Sequence, residues 1–168
     1  MKILGIDPGT LVMGYGVVES DDSGIVQVEC GAIVSPERAP IGERLNHIYH
    51  GLLEIIRRHR PDAVAVEQPF VARNVKSALA IGRAQAVALL AAAAEGVPAF
   101  EYTPAAVKQR VTSYGASSKE QVQEMVRLQL GLAEAPRPLD AADALAVAIC
   151  HVQEMHLNDL LAGRREGT

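Results

Sequence analysis

Ile3-Leu4-Gly5-Ile6-Asp7-Pro8-Gly9-Thr10, set beside Ala63-Val64-Ala65-Val66-Glu67-Gln68-Pro69, decides the architecture. Each stretch is a short apolar run that ends in a carboxylate. A continuous apolar run of this length marks a strand covered on both faces. A carboxylate at the mouth of such a strand is costly to desolvate unless something pairs with it. If the two strands are neighbours, Asp7 and Glu67 emerge together at the carboxyl edge of the sheet, where ligand sites of open α/β sheets collect.

The remaining elements follow outward. Residues 2–7 read as the first strand and residues 13–19 as a second, with glycines at close approaches. Asp21-Asp22-Ser23-Gly24 is a turn, and residues 25–34 form a third strand that completes an antiparallel meander. Ile41, Leu45, Ile48, Leu52 and Ile55 recur at helical spacing over 40–59, and Pro61 stops that helix. Strand 63–67 leads to an alanine-rich helix over 75–95, closed by Gly96. Val97-Pro98-Ala99-Phe100 reads as an edge-like fifth strand. Thr103-Pro104 starts one helix, to about Ser113, and Ser118 with Gln121 forms a capping box for the next, to Gly131. A final helix runs from Leu139 to about Met155. The fold class is therefore α/β, a mixed five-stranded sheet flanked by helices on both faces. Residues 1–160 make one domain, and 161–168 read as a flexible tail.

The chain has 168 residues, enough for one full core, and is 49% hydrophobic. No uninterrupted apolar run suits a membrane span, and the N-terminus lacks a signal-peptide pattern, so a cytoplasmic protein without membrane contact is expected. Cys30 and Cys150 belong to no CxxC pair and read as reduced core thiols. The five histidines, His47, His50, His59, His151 and His156, lack zinc spacing and read as solvated or capping. A net charge of −4 speaks against nucleic acid only weakly, because residues 70–130 hold seven cations against four acids.

Two further acids, Asp140 and Asp143, open the last helix three positions apart and share one face. The segment that follows, Ala144-Leu145-Ala146-Val147-Ala148-Ile149, is small and apolar, so the helix is buried and its acids face protein or a cleft. Four clustered carboxylates repel one another without a cation. Hard oxygen donors select Mg²⁺ or Mn²⁺ over zinc. A pair of such ions about 4 Å apart can activate water and stabilise the leaving oxygen of a phosphodiester.

Gly5-Ile6-Asp7-Pro8-Gly9-Thr10, Val66-Glu67-Gln68-Pro69-Phe70, Val107-Lys108-Gln109 and Asp140-Ala141-Ala142-Asp143-Ala144, in that order and spacing, resemble the RuvC family of bacterial Holliday junction resolvases. The resemblance covers residues 2 to about 155. It implies a ribonuclease H-like fold, a homodimer, and a Mg²⁺-dependent endonuclease that nicks two opposed strands of a four-way DNA junction, leaving 5′-phosphates. It also implies two ions per site, with Mn²⁺ as a substitute, and work alongside the branch-migration complex of RuvA and RuvB. Asp7, Glu67, Asp140 and Asp143 match the acidic tetrad that holds metal and catalyses. Lys108 and Lys119 match basic positions associated with DNA, Phe70 matches a stacking aromatic, and Arg73 and Lys76 join them as candidate DNA contacts. The alanine-rich helix is a candidate dimer interface. Gly-Ile-Asp-x-Gly-Thr also opens the phosphate-binding lobe of sugar kinases and actin-like ATPases, but that machinery needs two lobes. A junction-binding module without catalysis would be expected to lose an acid. A nuclease of RNA·DNA hybrids shares the fold, but Glu67-Gln68 with Phe70 and the Asp140-Ala141-Ala142-Asp143 segment favour the junction enzyme.

Overall fold

The computed structural model describes residues 1–69 and 75–163. Three strands open it: β1 (Lys2–Asp7), β2 (Val12–Asp21) and β3 (Gly24–Val34). Helix α1 (Ile41–His59), strand β4 (Ala63–Glu67), helix α2 (Val75–Ala94) and strand β5 (Ala99–Tyr102) alternate after them. Three helices close the chain: α3 (Pro104–Thr112), α4 (Lys119–Gln129) and α5 (Leu139–Gly163). The strands form one mixed sheet in the order β3-β2-β1-β4-β5. Its central strand, β1, pairs antiparallel with β2, where Asp7 stands opposite Gly14, and parallel with β4, where Ile6 stands beside Val66.

Strand periodicity decides which face each acid takes. Leu4, Ile6, Val64 and Val66 point into one core, with Ile48, Leu52 and Ile56 of α1 and Ala84 and Ala88 of α2. Ile3, Ala63 and Ala65 point the other way, into a core shared with α3, α4 and α5. Successive side chains alternate across a sheet. Asp7 and Glu67, next in register, therefore fall on the α5 face together. Full burial of Leu4, Ile6 and Leu52 stabilises the fold by about 1.5–3 kcal/mol each.

Two glycines let α5 lie almost on the sheet. A Cβ on Gly5 would sit 2.1 Å from the Ala144 carbonyl oxygen, and one on Gly14 would sit 2.0 Å from that of Asp140. The close approach places the acidic first turn of α5 over the sheet edge where Asp7 ends. The caps are those the sequence specifies: Thr103 accepts from the Ala106 amide at 3.1 Å, and Ser118 and Gln121 bond reciprocally. Arg60 ends α1 in the left-handed region (φ 46°), its amide donating to the Ile56 carbonyl at 2.7 Å.

The structure departs from expectation in four places. Strand β5 begins two residues later than Val97, because Val97 packs beside the α1–α2 core and pairing with β4 starts at Ala99. Helix α5 does not stop near Met155 but continues to Gly163, three residues into the expected tail; residues 164–168 lie outside the described part. By length and composition α2 is apolar enough to cross a membrane, although no such segment is expected from the sequence. Its Ala78, Ala84, Ala88, Ala91 and Ala92 are buried within the fold, while Leu79 and Leu90 are exposed. His151 is neither solvated nor capping: it is 1% exposed, and its Nδ1 lies 2.7 Å from the Tyr102 hydroxyl. Cys30 and Cys150 are free thiols, as expected.

Candidate active site

A cavity of about 220 Å³ opens at the carboxyl edge of β1 and β4. Asp7, Glu67 and Asp143 line it with Lys108 and Lys119, over a floor that includes Pro104, Val107, Val122 and Ala146. Five of the residues singled out in the sequence are therefore brought together from five elements. Strand ends supply Asp7 and Glu67, α5 supplies Asp143, α3 supplies Lys108 and α4 supplies Lys119.

The electrostatics identify a site short of positive charge. Burial, followed by repulsion from Glu67, Asp143 and Asp140, pushes Asp7 from 3.8 up to about 8. Burial and the Asp143 charge push Glu67 from 4.5 up to about 7, against the pull of Lys119 and Lys108. The two carboxyls hydrogen-bond to one another. That bond favours the charged form of Glu67. Asp143 takes a different partner, the Lys119 ammonium, with Nζ to Oδ2 at 2.8 Å. That bond raises the lysine's pKa.

Among the described residues, no three Asp, Glu, His or Cys side chains already form a closed metal cage. Mutual repulsion raises Asp7 and Glu67, and the Lys119 ammonium offsets part of it. The donor set still fits such an ion. All its members are carboxylate oxygens, the chemistry hard cations require, and a bound cation would relieve the repulsion that raises both Asp7 and Glu67.

Not every candidate arrives at the cavity. Asp140 does not line it, although its charge contributes to the shift on Asp7 and its carbonyl faces Gly14. Lys76 is exposed in the first turn of α2 and is not part of the lining. Phe70 and Arg73 lie outside the described residues. Sequence reasoning missed the apolar floor, whose one visible signal was the run of small residues after Asp143. It also missed the Tyr102–His151 bond, which joins β5 to α5 just beyond the site; Tyr102 stands beside Glu67 in register.

Comparison with known proteins places these features in a family. The family model for the crossover junction endodeoxyribonuclease RuvC matches residues 3–151. A RuvC of Dehalococcoides mccartyi is 56% identical over 162 residues, covering 96% of this chain and 97% of its own. One from Chloroflexus aggregans is 56% identical over 151 residues, covering 90% of this chain and 92% of its own. Among solved structures, T. thermophilus RuvC in complex with a Holliday junction substrate superposes with a TM-score of 0.88 at 39% identity, covering 94% of this chain and 96% of that one.

Proposed function

The chain belongs to the RuvC family of crossover junction endodeoxyribonucleases, and from that premise we propose that it resolves four-way DNA junctions by nicking two opposed strands. The fold is accordingly ribonuclease H-like. One observation carries the reading: three partly buried carboxylates and two lysines converge on a single cavity at the sheet edge. Carboxylates alone would repel a phosphodiester, and lysines alone would only bind it.

Asp7, Glu67 and Asp143, with Asp140 beside them, are assigned to hold Mg²⁺, two ions per site, with Mn²⁺ able to substitute. Bound there, the metal would lower the pKa of a water so that it gives up a proton to solvent and attacks phosphorus as hydroxide, and would neutralise charge on the departing oxygen. The protein's own groups do the rest. Asp7 and Glu67 stand at the ends of two paired strands, which hold the carboxylates in place on the sheet edge. Lys108, half-buried on α3, supplies fixed positive charge where a phosphate enters. Lys119, whose side chain is 71% exposed, can leave Asp143 for a phosphate oxygen at little cost. Attack in line, with loss of the 3′-oxygen, leaves a 5′-phosphate that ligase can reseal. Phe70, Arg73 and Lys76 are assigned to further contacts with the junction.

We assign the exposed face of α2 to a homodimer. The protein is placed in the cytoplasm, working with the branch-migration complex of RuvA and RuvB, an assignment that rests on family membership. Incubation of purified protein with a mobile synthetic four-way junction and Mg²⁺ tests the proposal. Paired nicks at symmetric positions, lost with EDTA, are expected. No cleavage of junctions of several sequences would overturn it.

A further inference from the structure

The turn between α3 and α4 is built around two hydroxyls for which cleavage chemistry has no direct use. Thr112 is the last residue of α3, and Ser117 is 4% exposed in the turn. Their oxygens lie 2.6 Å apart. Thr112 Oγ1 also lies 2.8 Å from the Lys108 carbonyl oxygen, and the Tyr114 amide donates to it at 3.2 Å. Each hydroxyl has one proton to give and two lone pairs to receive. The Tyr114 carbonyl oxygen lies 2.7 Å from the Ser117 hydroxyl and 2.9 Å from that of Thr112, and it accepts from the Ser117 amide at 3.2 Å. The two hydroxyl protons are therefore shared among the Lys108 carbonyl, the Tyr114 carbonyl and the Thr112–Ser117 contact. The Gln109 side chain spans the same turn, donating to the Ser113 carbonyl at 3.1 Å and accepting from the Gly115 amide at 3.0 Å. A turn bonded this completely acts as a rigid spacer.

What it spaces is the pair of cations. At one end the Thr112 hydroxyl grips the carbonyl of Lys108 itself. At the other, Ser117 precedes Ser118, the cap of the helix whose first residue is Lys119. Val107, Val111, Val122 and Val126 already hold α3 and α4 in the α5 core. Apolar contact is non-directional and leaves helices some freedom to slide; hydrogen bonds with fixed geometry remove it. The sequence between the two lysines thus encodes a distance.

We propose that Thr112 and Ser117 are positioning residues for phosphodiester cleavage, their hydroxyl pair setting the spacing of Lys108 and Lys119 over the carboxylates. The inference rests on the cavity being the nuclease site. Thr112→Val keeps the side chain's shape and removes the hydroxyl. A misplacement on the order of 1 Å can cost a hundredfold in rate, and loss of this pair is expected to lower the single-turnover cleavage rate about tenfold while junction affinity stays within about twofold. Thr112→Ser should restore the rate. In a Lys119→Ala background the loss from Thr112→Val should shrink to about twofold or less, because the group it positions is gone. An unchanged rate in Thr112→Val would overturn the proposal. So would an equal loss with and without Lys119, the result expected of a merely structural turn. Should Thr112→Val fail to fold, Ser117→Ala carries the same comparison. Wild-type protein that does not cut would sink the nuclease reading itself; wild-type cutting with no response at Thr112 sinks this inference alone.

Discussion

Asp7 concentrates the chemistry of the molecule in one carboxyl. Its pKa of about 8 and that of Glu67, about 7, exceed the ordinary values of 3.8 and 4.5. Between these limits the folded chain binds more protons than the unfolded one. The stability this lends is complete below about pH 4 and is lost as pH rises through 7 and 8. Metal-free protein in EDTA should therefore have a lower urea midpoint at pH 8.5 than at pH 5.5. Mg²⁺ should recover stability at the higher pH, because the ion replaces the lost protons. Asp7→Asn isolates the cause. An amide cannot ionise but can still donate to Glu67, so at pH 8.5 the metal-free variant should exceed wild type by at least about 1.4 kcal/mol, the value of one pKa unit. Its cleavage rate should fall by about a thousandfold or more, and its junction affinity should hold within a few-fold, read by gel shift in Ca²⁺. A variant that unfolds would show the acid to be structural. Lys119→Ala tests the neighbouring charge. Its ion pair is exposed at the lysine end, so stability should change by less than about 1 kcal/mol, yet cleavage should drop about ten- to a hundredfold.

At the scale of elements, the site depends on how closely α5 crosses the sheet. Gly14→Ala would force a methyl to within 2.0 Å of the Asp140 carbonyl oxygen. Backbone must then move on one side or the other. A loss of roughly 3 kcal/mol or more is expected. The exposed Gly42 of α1, with nothing within 4 Å of an added Cβ, should accept alanine within about 0.5 kcal/mol; chemical denaturation of both variants makes the comparison. This dependence also shows how far the sequence could be read. β1 and β4 were legible because an apolar run ending in a carboxylate has few other uses, and period two then fixed the face of Asp7 and Glu67. The capped starts of α3 and α4 were legible because Thr103-Pro104 and Ser118 with Gln121 act within one turn. Partners distant in sequence were not. His151 reads as a polar residue late in a helix until Tyr102, 49 positions away, arrives to bond it. The start of β5 is set by pairing with β4 and not by Pro98. Asp140 and Asp143 share a helix face by spacing, yet Asp143 alone of the two lines the cavity, because the crossing of α5 over Gly14 decides which acid looks inward.

For the whole molecule the question is how many copies act together. A junction has two strands to cut, and each chain presents one such carboxylate cavity among its described residues. Simultaneous cuts at symmetric positions therefore call for two chains related by a two-fold axis, the arrangement in which one surface patch meets its own copy. Helix α2 offers such a patch. One side buries alanines in the fold; the other leaves Leu79 at 58% and Leu90 at 59% exposure. Those two leucines stand about three turns apart on one side of the helix. The helix spans 20 residues, or about 30 Å, long enough to anchor an interface of standard size, about 800 Å² per partner. Small residues around the leucines would let two such helices approach closely. Replacing Leu79 and Leu90 together by Glu puts like charges where the two copies would meet, and should weaken dimerisation about a hundredfold or more. Sedimentation velocity at micromolar concentration should show the wild type as a dimer and the variant as a monomer of unchanged helix content. The monomer should retain its Mg²⁺-dependent gain in stability, because the carboxylates belong to one chain. It should lose paired nicking, releasing junctions with a single cut. A variant that remains dimeric would place the interface elsewhere, and a monomer that still makes paired cuts at wild-type rate would remove the need for a dimer altogether.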